Sequence, residues 1–118
     1  MKLDKNLTDR NYLYGRLYAI AEYFDVTNKG YYMHNFKVFP CRYWKHFYEM
    51  LRPKLQRLDA PKKKYFEELI EEIHDKFTPD TYLMHNERGD EVSLDGMYIM
   101  GFHNQSEALA VDMNSITA

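Results

Sequence analysis

Apolar side chains recur three and four positions apart in four separate stretches of this chain, each bounded by a turn or proline signal. That spacing is what a helix needs to bury one flank. It predicts an all-α fold: a single-domain bundle of about four helices spanning residues 1–118, with an ordered core over about 7–112. At 118 residues the chain is one domain's worth and buries roughly two thirds of its unfolded surface, so no disulfide or structural metal is required to hold it.

The first helix is expected from about Asp9 to Asp25, capped by Thr8 or Asp9. Leu13, Leu17, Ile20 and Phe24 form one narrow core stripe, with tyrosines on both sides. Gly15 is costly inside a helix and implies close approach by another backbone. Asn28-Lys29-Gly30 reads as a turn. The second helix is expected from near Lys37 to near Leu58, with Pro40 in its first turn and a kink at Pro53, which removes the hydrogen bond to the Glu49 carbonyl. Tyr43, Trp44, Phe47, Leu51, Leu55 and Leu58 share its buried side. The third follows Asp59-Ala60-Pro61 and ends near Phe77, before Thr78-Pro79. Residues 78–92 read as a polar connection with a possible short hairpin. Ser93 caps a fourth helix from about Leu94 to Asp112, in which Gly96 and Gly101 again suggest tight helix contact. The tail from Asn114 to Ala118 is expected to fray.

Charge is polarised along the chain. Residues 1–64 hold 14 Lys and Arg against 6 Asp and Glu, a formal +8, whereas residues 65–118 hold 2 against 12, a formal −10. A basic half can meet a polyanion, and an acidic half a basic protein or a neighbouring copy; alternatively the halves neutralise each other within one molecule. On the second helix Arg42, Lys45, His46, Arg52 and Arg57 fall within an arc of about 140°, interrupted only by Glu49. Lys62, Lys63 and Lys64 then occupy the first turn of the third helix, where the helix dipole disfavours them. Such cations neutralise phosphates, and Tyr31, Tyr32 and Tyr48 are available as a platform for unpaired bases, or else as ordinary core tyrosines with wet hydroxyls.

Enzyme constellations are sparse. One Cys, Cys41, excludes an internal disulfide framework and fits a reducing compartment. Five scattered His residues supply no zinc pattern, and Glu71-x-x-His74 is half of a di-iron helix motif without its second half. Cys41 and His46 do not share a helix face. There is no phosphate-binding glycine loop and no Gly-x-Ser-x-Gly elbow. The residues therefore predict no catalytic site, no metal and no cofactor. With no long apolar run and no leader pattern, the expected location is cytoplasmic.

Four segments, in order, resemble one family. NYLYGRLYAIAE (Asn11 to Glu22) resembles its Gly-Arg-Leu helix, and VFPCRYWKHFYEML (Val38 to Leu51) its Val-Phe-Pro helix. YFEELIEEIHDKF (Tyr65 to Phe77) resembles the helix that follows, and VSLDGMYIMGFHNQ (Val92 to Gln105) the closing Leu-Ser-Leu segment with its Gly-aromatic-aromatic-His-Gln ending. The family is the C-terminal region of the large subunit of the type I-C CRISPR surveillance complex, Cascade, a region also translated separately as a small subunit. The resemblance covers about residues 7–108. It implies a helical bundle lining the belly of a crRNA-guided complex and holding R-loop DNA without cutting it. The implied partners are the backbone and large subunits, neighbouring copies of itself, and R-loop DNA with crRNA, with no membrane and no small-molecule substrate. Carried onto this sequence, it puts Arg16 and the basic residues after Phe39-Pro40 in nucleic-acid contact. The ending departs from the family pattern, with a shifted His and no following basic residue in Gly101-Phe102-His103-Asn104-Gln105-Ser106, and the connection at 84–92 is longer.

Three functions compete at this level. The first is a noncatalytic small subunit that binds DNA through Arg16, Arg42, Lys45, Arg52, Arg57, Lys62, Lys63 and Lys64. The second is a protein-interaction module without nucleic-acid contact, and the third a bundle enzyme with a metal site.

Overall fold

Asp9 begins the first helix by accepting from the backbone N–H groups of Asn11 at 2.9 Å and Tyr12 at 3.1 Å. A computed structural model describes residues 2–117 of the chain. Its helices are α1 (Arg10–Tyr23), α2 (Met33–Val38), α3 (Pro40–Gln56), α4 (Ala60–Lys76), α5 (Pro79–Tyr82) and α6 (Met97–Thr117). The four long ones are those the periodicity predicts, and the all-α expectation holds.

The differences have local causes. The second expected helix is α3, which starts at Pro40 rather than near Lys37 and follows a short helix, α2, that the periodicity does not predict. The two are separate because Phe39 precedes a proline and is held at φ −128°, ψ 67°, away from the α region. Pro40 then opens α3, which runs unbroken through Pro53. The 78–92 connection carries the single turn α5, capped by Thr78, and an isolated antiparallel bridge between His85 and Glu91 closed by Gly89 at φ 83°. At the fourth helix the sequence expectation fails at both ends. Asp95, not Ser93, accepts from the first N–H of α6, that of Met97, at 2.8 Å. The helix continues past Asp112 to Thr117, because Met113 and Ile116 still pack on the core; Ala118 lies outside the described residues.

α1 is the central element. Every residue from Tyr12 to Ala21 is buried, not only the Leu13, Leu17, Ile20 stripe. A helix enclosed on all sides needs neighbours at different depths, and the glycines set the closest one. A Cβ on Gly15 would lie 2.0 Å from the Tyr98 carbonyl oxygen, and one on Gly101 would lie 2.1 Å from that of Tyr12. α1 and α6 thus touch backbone to backbone at two points, as the sequence suggests for Gly15 and Gly101. Gly96 differs: nothing lies within 4 Å of its Cβ position, so it makes no such contact. The opposite flank of α1 meets rings. Tyr14 packs on Phe77 at 4.8 Å between ring centroids, Tyr18 on Phe36 at 5.0 Å, and Phe36 stacks on Phe47 at 5.8 Å.

Candidate nucleic-acid interface

α3 has a sharp division between its two sides. Trp44, Phe47, Leu51 and Leu55 are buried against α1 and α4, whereas Arg42, Lys45, His46, Arg52 and Arg57 are exposed. Among the described residues, Arg42, Lys45, Arg52 and Arg57 make no ion pair within 4.0 Å. Their charge is therefore directed to solvent. Arg42 rests over the Phe39 ring, 4.6 Å from its centroid. Glu49 is the one carboxylate inside the arc, and it too is exposed.

The start of α3 is held from a distance. Glu91 Oε1 accepts from the Cys41 N–H at 2.7 Å, and Oε2 from the Arg42 N–H at 3.1 Å. Phe39 has no side-chain oxygen to cap with, so a carboxylate from the 83–92 connection does so and complements the helix dipole. No short-range pattern announces this bond, which spans about fifty residues.

Lys62, Lys63 and Lys64 follow one turn beyond Arg57. Lys63 Nζ donates to Gln56 Oε1 at 2.9 Å, joining the start of α4 to the end of α3. Lys62 and Lys64 sit 3.8 and 3.9 Å from Asp59 and Glu68. Pairs this long and this wet hold their cations weakly, and among the described residues Lys63 is the one of the three whose side chain hydrogen-bonds the end of α3.

Arg16 is elsewhere. Its side chain is fully buried, and it binds two neighbouring helices. Nη1 and Nη2 donate to Glu72 Oε2 and Oε1 at 3.0 and 2.6 Å, and Nε donates to Gln105 Oε1 at 2.8 Å. Lys76 Nζ also donates to Glu72, at 2.7 Å. The nucleic-acid role carried onto Arg16 by resemblance is therefore corrected to a core role: a buried guanidinium does not reach a phosphate on the surface. Burial alone would raise the Glu72 carboxyl, but the hydrogen bonds from Arg16 and Lys76 outweigh it and lower its pKa. The Gly-Arg-Leu motif and the Gly…Gln ending are thus two halves of one joint, with Gly15 on α6 and Gly101 on α1, and Arg16 on Gln105.

The tyrosines separate likewise. Tyr31 is exposed and Tyr32 half-buried beside the α3 face, where Tyr32 lies 6.1 Å from the His46 ring. Tyr48 is on the other edge, 5.7 Å from Trp44 and 6.2 Å from His74. It does not join the other two.

His74 is occupied by packing rather than by a ligand. Its Nε2 accepts from the Trp44 indole N–H at 3.0 Å, which requires the neutral ring, and burial lowers its pKa. Glu71, its partner in the half motif, is exposed, and no group of three His, Cys, Asp or Glu side chains is placed to hold a metal among the described residues. A depressed histidine favours the fold fully above its unfolded pKa of about 6.5, and that stability is lost as pH falls through the folded value. Trp44 is the one tryptophan in the chain, so its fluorescence reports the contact. Acid titration is expected to move the Trp44 emission below pH 6.5, and a His74→Gln variant to remove that transition. An unchanged titration in the variant refutes the assignment.

No helix among the described residues is long and apolar enough to cross a membrane. Fold and site together define a class: a small all-α bundle presenting one cationic helix flank to solvent. Within that class, the chain belongs to the Cas_Csd1 family, described as CRISPR-associated protein, whose model matches residues 1–110. Neither the curated proteins nor the solved structures contain a match to the chain.

Proposed function

We propose that this CRISPR-associated chain is a noncatalytic small subunit of a type I-C Cascade complex in the cytoplasm. Its α3 face holds R-loop DNA through backbone phosphates, while its acidic and apolar surfaces dock on the backbone and large subunits and on neighbouring copies. The observation that carries this reading is the row Arg42, Lys45, Arg52 and Arg57, exposed on one helix and free of ion pairs among the described residues. Lys63 ties the start of α4, with Lys62 and Lys64, to the end of that helix. Cations kept free of intramolecular carboxylates are available to displace counterions from a polyphosphate, an interaction that needs no base sequence.

The test is charge reversal. Arg42→Glu, Lys45→Glu and Arg52→Glu together are expected to weaken R-loop retention on the order of 10- to 100-fold at fixed salt and to flatten the salt dependence of DNA binding. R-loop lifetime in the assembled complex and binding across a salt series measure both. Unchanged retention in a complex that still assembles refutes the DNA face and favours an interaction module that binds an acidic protein surface instead.

A further inference from the structure

Tyr31 is 71% exposed, yet the chain around it is tightly placed. Asn28, Lys29 and Gly30 take φ of 53°, 51° and 85° in succession, a left-handed run that side chains other than hydrogen adopt only at a steric cost. The run is pinned at its base. Val26 and Thr27 are buried, the Val26 N–H donates to the Ala21 carbonyl at 3.1 Å, and the Tyr32 N–H donates to that of Thr27 at 3.3 Å. The Tyr31 N–H closes the turn on Asn28 at 3.0 Å. Behind it, Tyr32 meets the Tyr31 ring edge to face at 5.0 Å and packs in turn on Tyr43 at 5.9 Å and Phe47 at 6.1 Å. An aromatic face is therefore fixed to the core and turned to water.

Its surroundings are cationic. His46, within the α3 arc, lies 6.1 Å from the Tyr32 ring, and Lys29 is exposed on the same turn. At the start of the turn, Lys54 Nζ donates to the Phe24 carbonyl at 2.8 Å, which holds the segment against α3. Through Tyr32, the Tyr31 ring is thus linked to the His46 edge of the α3 arc.

We infer that Tyr31 is a stacking site for an unpaired nucleobase, so that the ligand of the cationic face is a single strand rather than a duplex. In a duplex each base is already stacked and offers the ring no free face. In a single strand every base offers one, whatever the sequence. This inference rests on the phosphate-binding reading of α3 and adds to it the state of the strand.

The experiment compares two fluorescent oligonucleotides of about 15 nucleotides, a length within one binding site, on the full chain. One is oligothymidine, and the other is abasic with the same phosphates. Anisotropy titrations at two salt concentrations are expected to show oligothymidine binding about 5- to 150-fold tighter, the range of one stacked base. Tyr31→Ala removes that difference and leaves abasic affinity and salt dependence unchanged. Tyr31→Trp keeps the difference, and its new emission is quenched by oligothymidine alone. Equal affinity for the two oligonucleotides, with salt dependence intact, overturns the stacking site and spares the phosphate reading. A Tyr31→Ala variant that weakens both equally overturns it too. Failure of both oligonucleotides to bind at low salt overturns both readings.

Discussion

Glu72→Ala is expected to destabilise the protein by about 3–5 kcal/mol, more than Arg16→Met does. The asymmetry follows from where the two partners sit. Arg16 is fully buried and has no route to water, while the Glu72 side chain is 28% exposed and has Lys76 as a second partner. Removing the carboxylate leaves a guanidinium uncompensated in the core. Removing the guanidinium, as in Arg16→Met, leaves a carboxylate that solvent and Lys76 still satisfy, although Gln105 loses its donor. The double variant Arg16→Met with Glu72→Ala is therefore expected to be more stable than Glu72→Ala alone, because no charge is stranded. Urea unfolding of the three variants measures this. Total stability for a domain is about 5–15 kcal/mol, so the single loss is a large share of it. A Glu72→Ala variant as stable as the native chain would show that Arg16 is not locked in place. Acid acts in the same direction. The lowered Glu72 pKa favours the fold above its unfolded value of about 4.5, and that contribution is lost as pH falls through the folded one.

Gly101→Ala is expected to cost about 3 kcal/mol or more, and Gly15→Ala a similar amount. In each case the new methyl would lie about 2 Å from a carbonyl oxygen of the facing helix, whereas real Cβ contacts essentially never fall below 3.0 Å. Nothing flexible can yield, since the obstacle is backbone. α1 and α6 have to separate, and with them the Arg16 to Gln105 bond at 2.8 Å and the Asn104 to Tyr12 hydroxyl bond at 3.0 Å. Gly96→Ala is the control, with open space at the Cβ position and an expected change within about 1 kcal/mol. Thermal unfolding followed by circular dichroism distinguishes them. Equal melting temperatures for Gly101→Ala and Gly96→Ala would refute the close crossing.

Much of the fold is legible in local patterns. Asp9 and Asp59 cap α1 and α4, Pro40 starts α3, and the α3 side chains divide into buried and cationic sides as their spacing predicts. Each of these depends on residues within a turn or two of one another, so short windows of sequence suffice. The errors cluster where distant partners decide. A stripe calculation assigns α1 one buried flank because it sees only α1, and cannot know that helices surround it. The α6 tail looks too polar to hold, yet Met113 and Ile116 find the core. The resemblance places Arg16 in nucleic-acid contact, and no local pattern opposes it until Glu72 and Gln105, 56 and 89 residues away, are brought beside it.

The candidate site divides the same way. The arc from Arg42 to Arg57 is a property of one helix, and periodicity alone finds it. That these cations make no ion pair among the described residues, in a chain whose second half carries twelve acidic side chains, is decided by the packing, which turns Glu72 inward to Arg16 and Glu91 onto the α3 amides. So does the meeting of Tyr31, Tyr32 and His46, which needs a left-handed turn folded back on α3. By itself the sequence determined which segments are helical and which flank of α3 is cationic, because both are set by interactions a few residues long. Only the tertiary structure decided which charges are spent inside and which face water, because opposite charges pair by distance in space and not by separation along the chain.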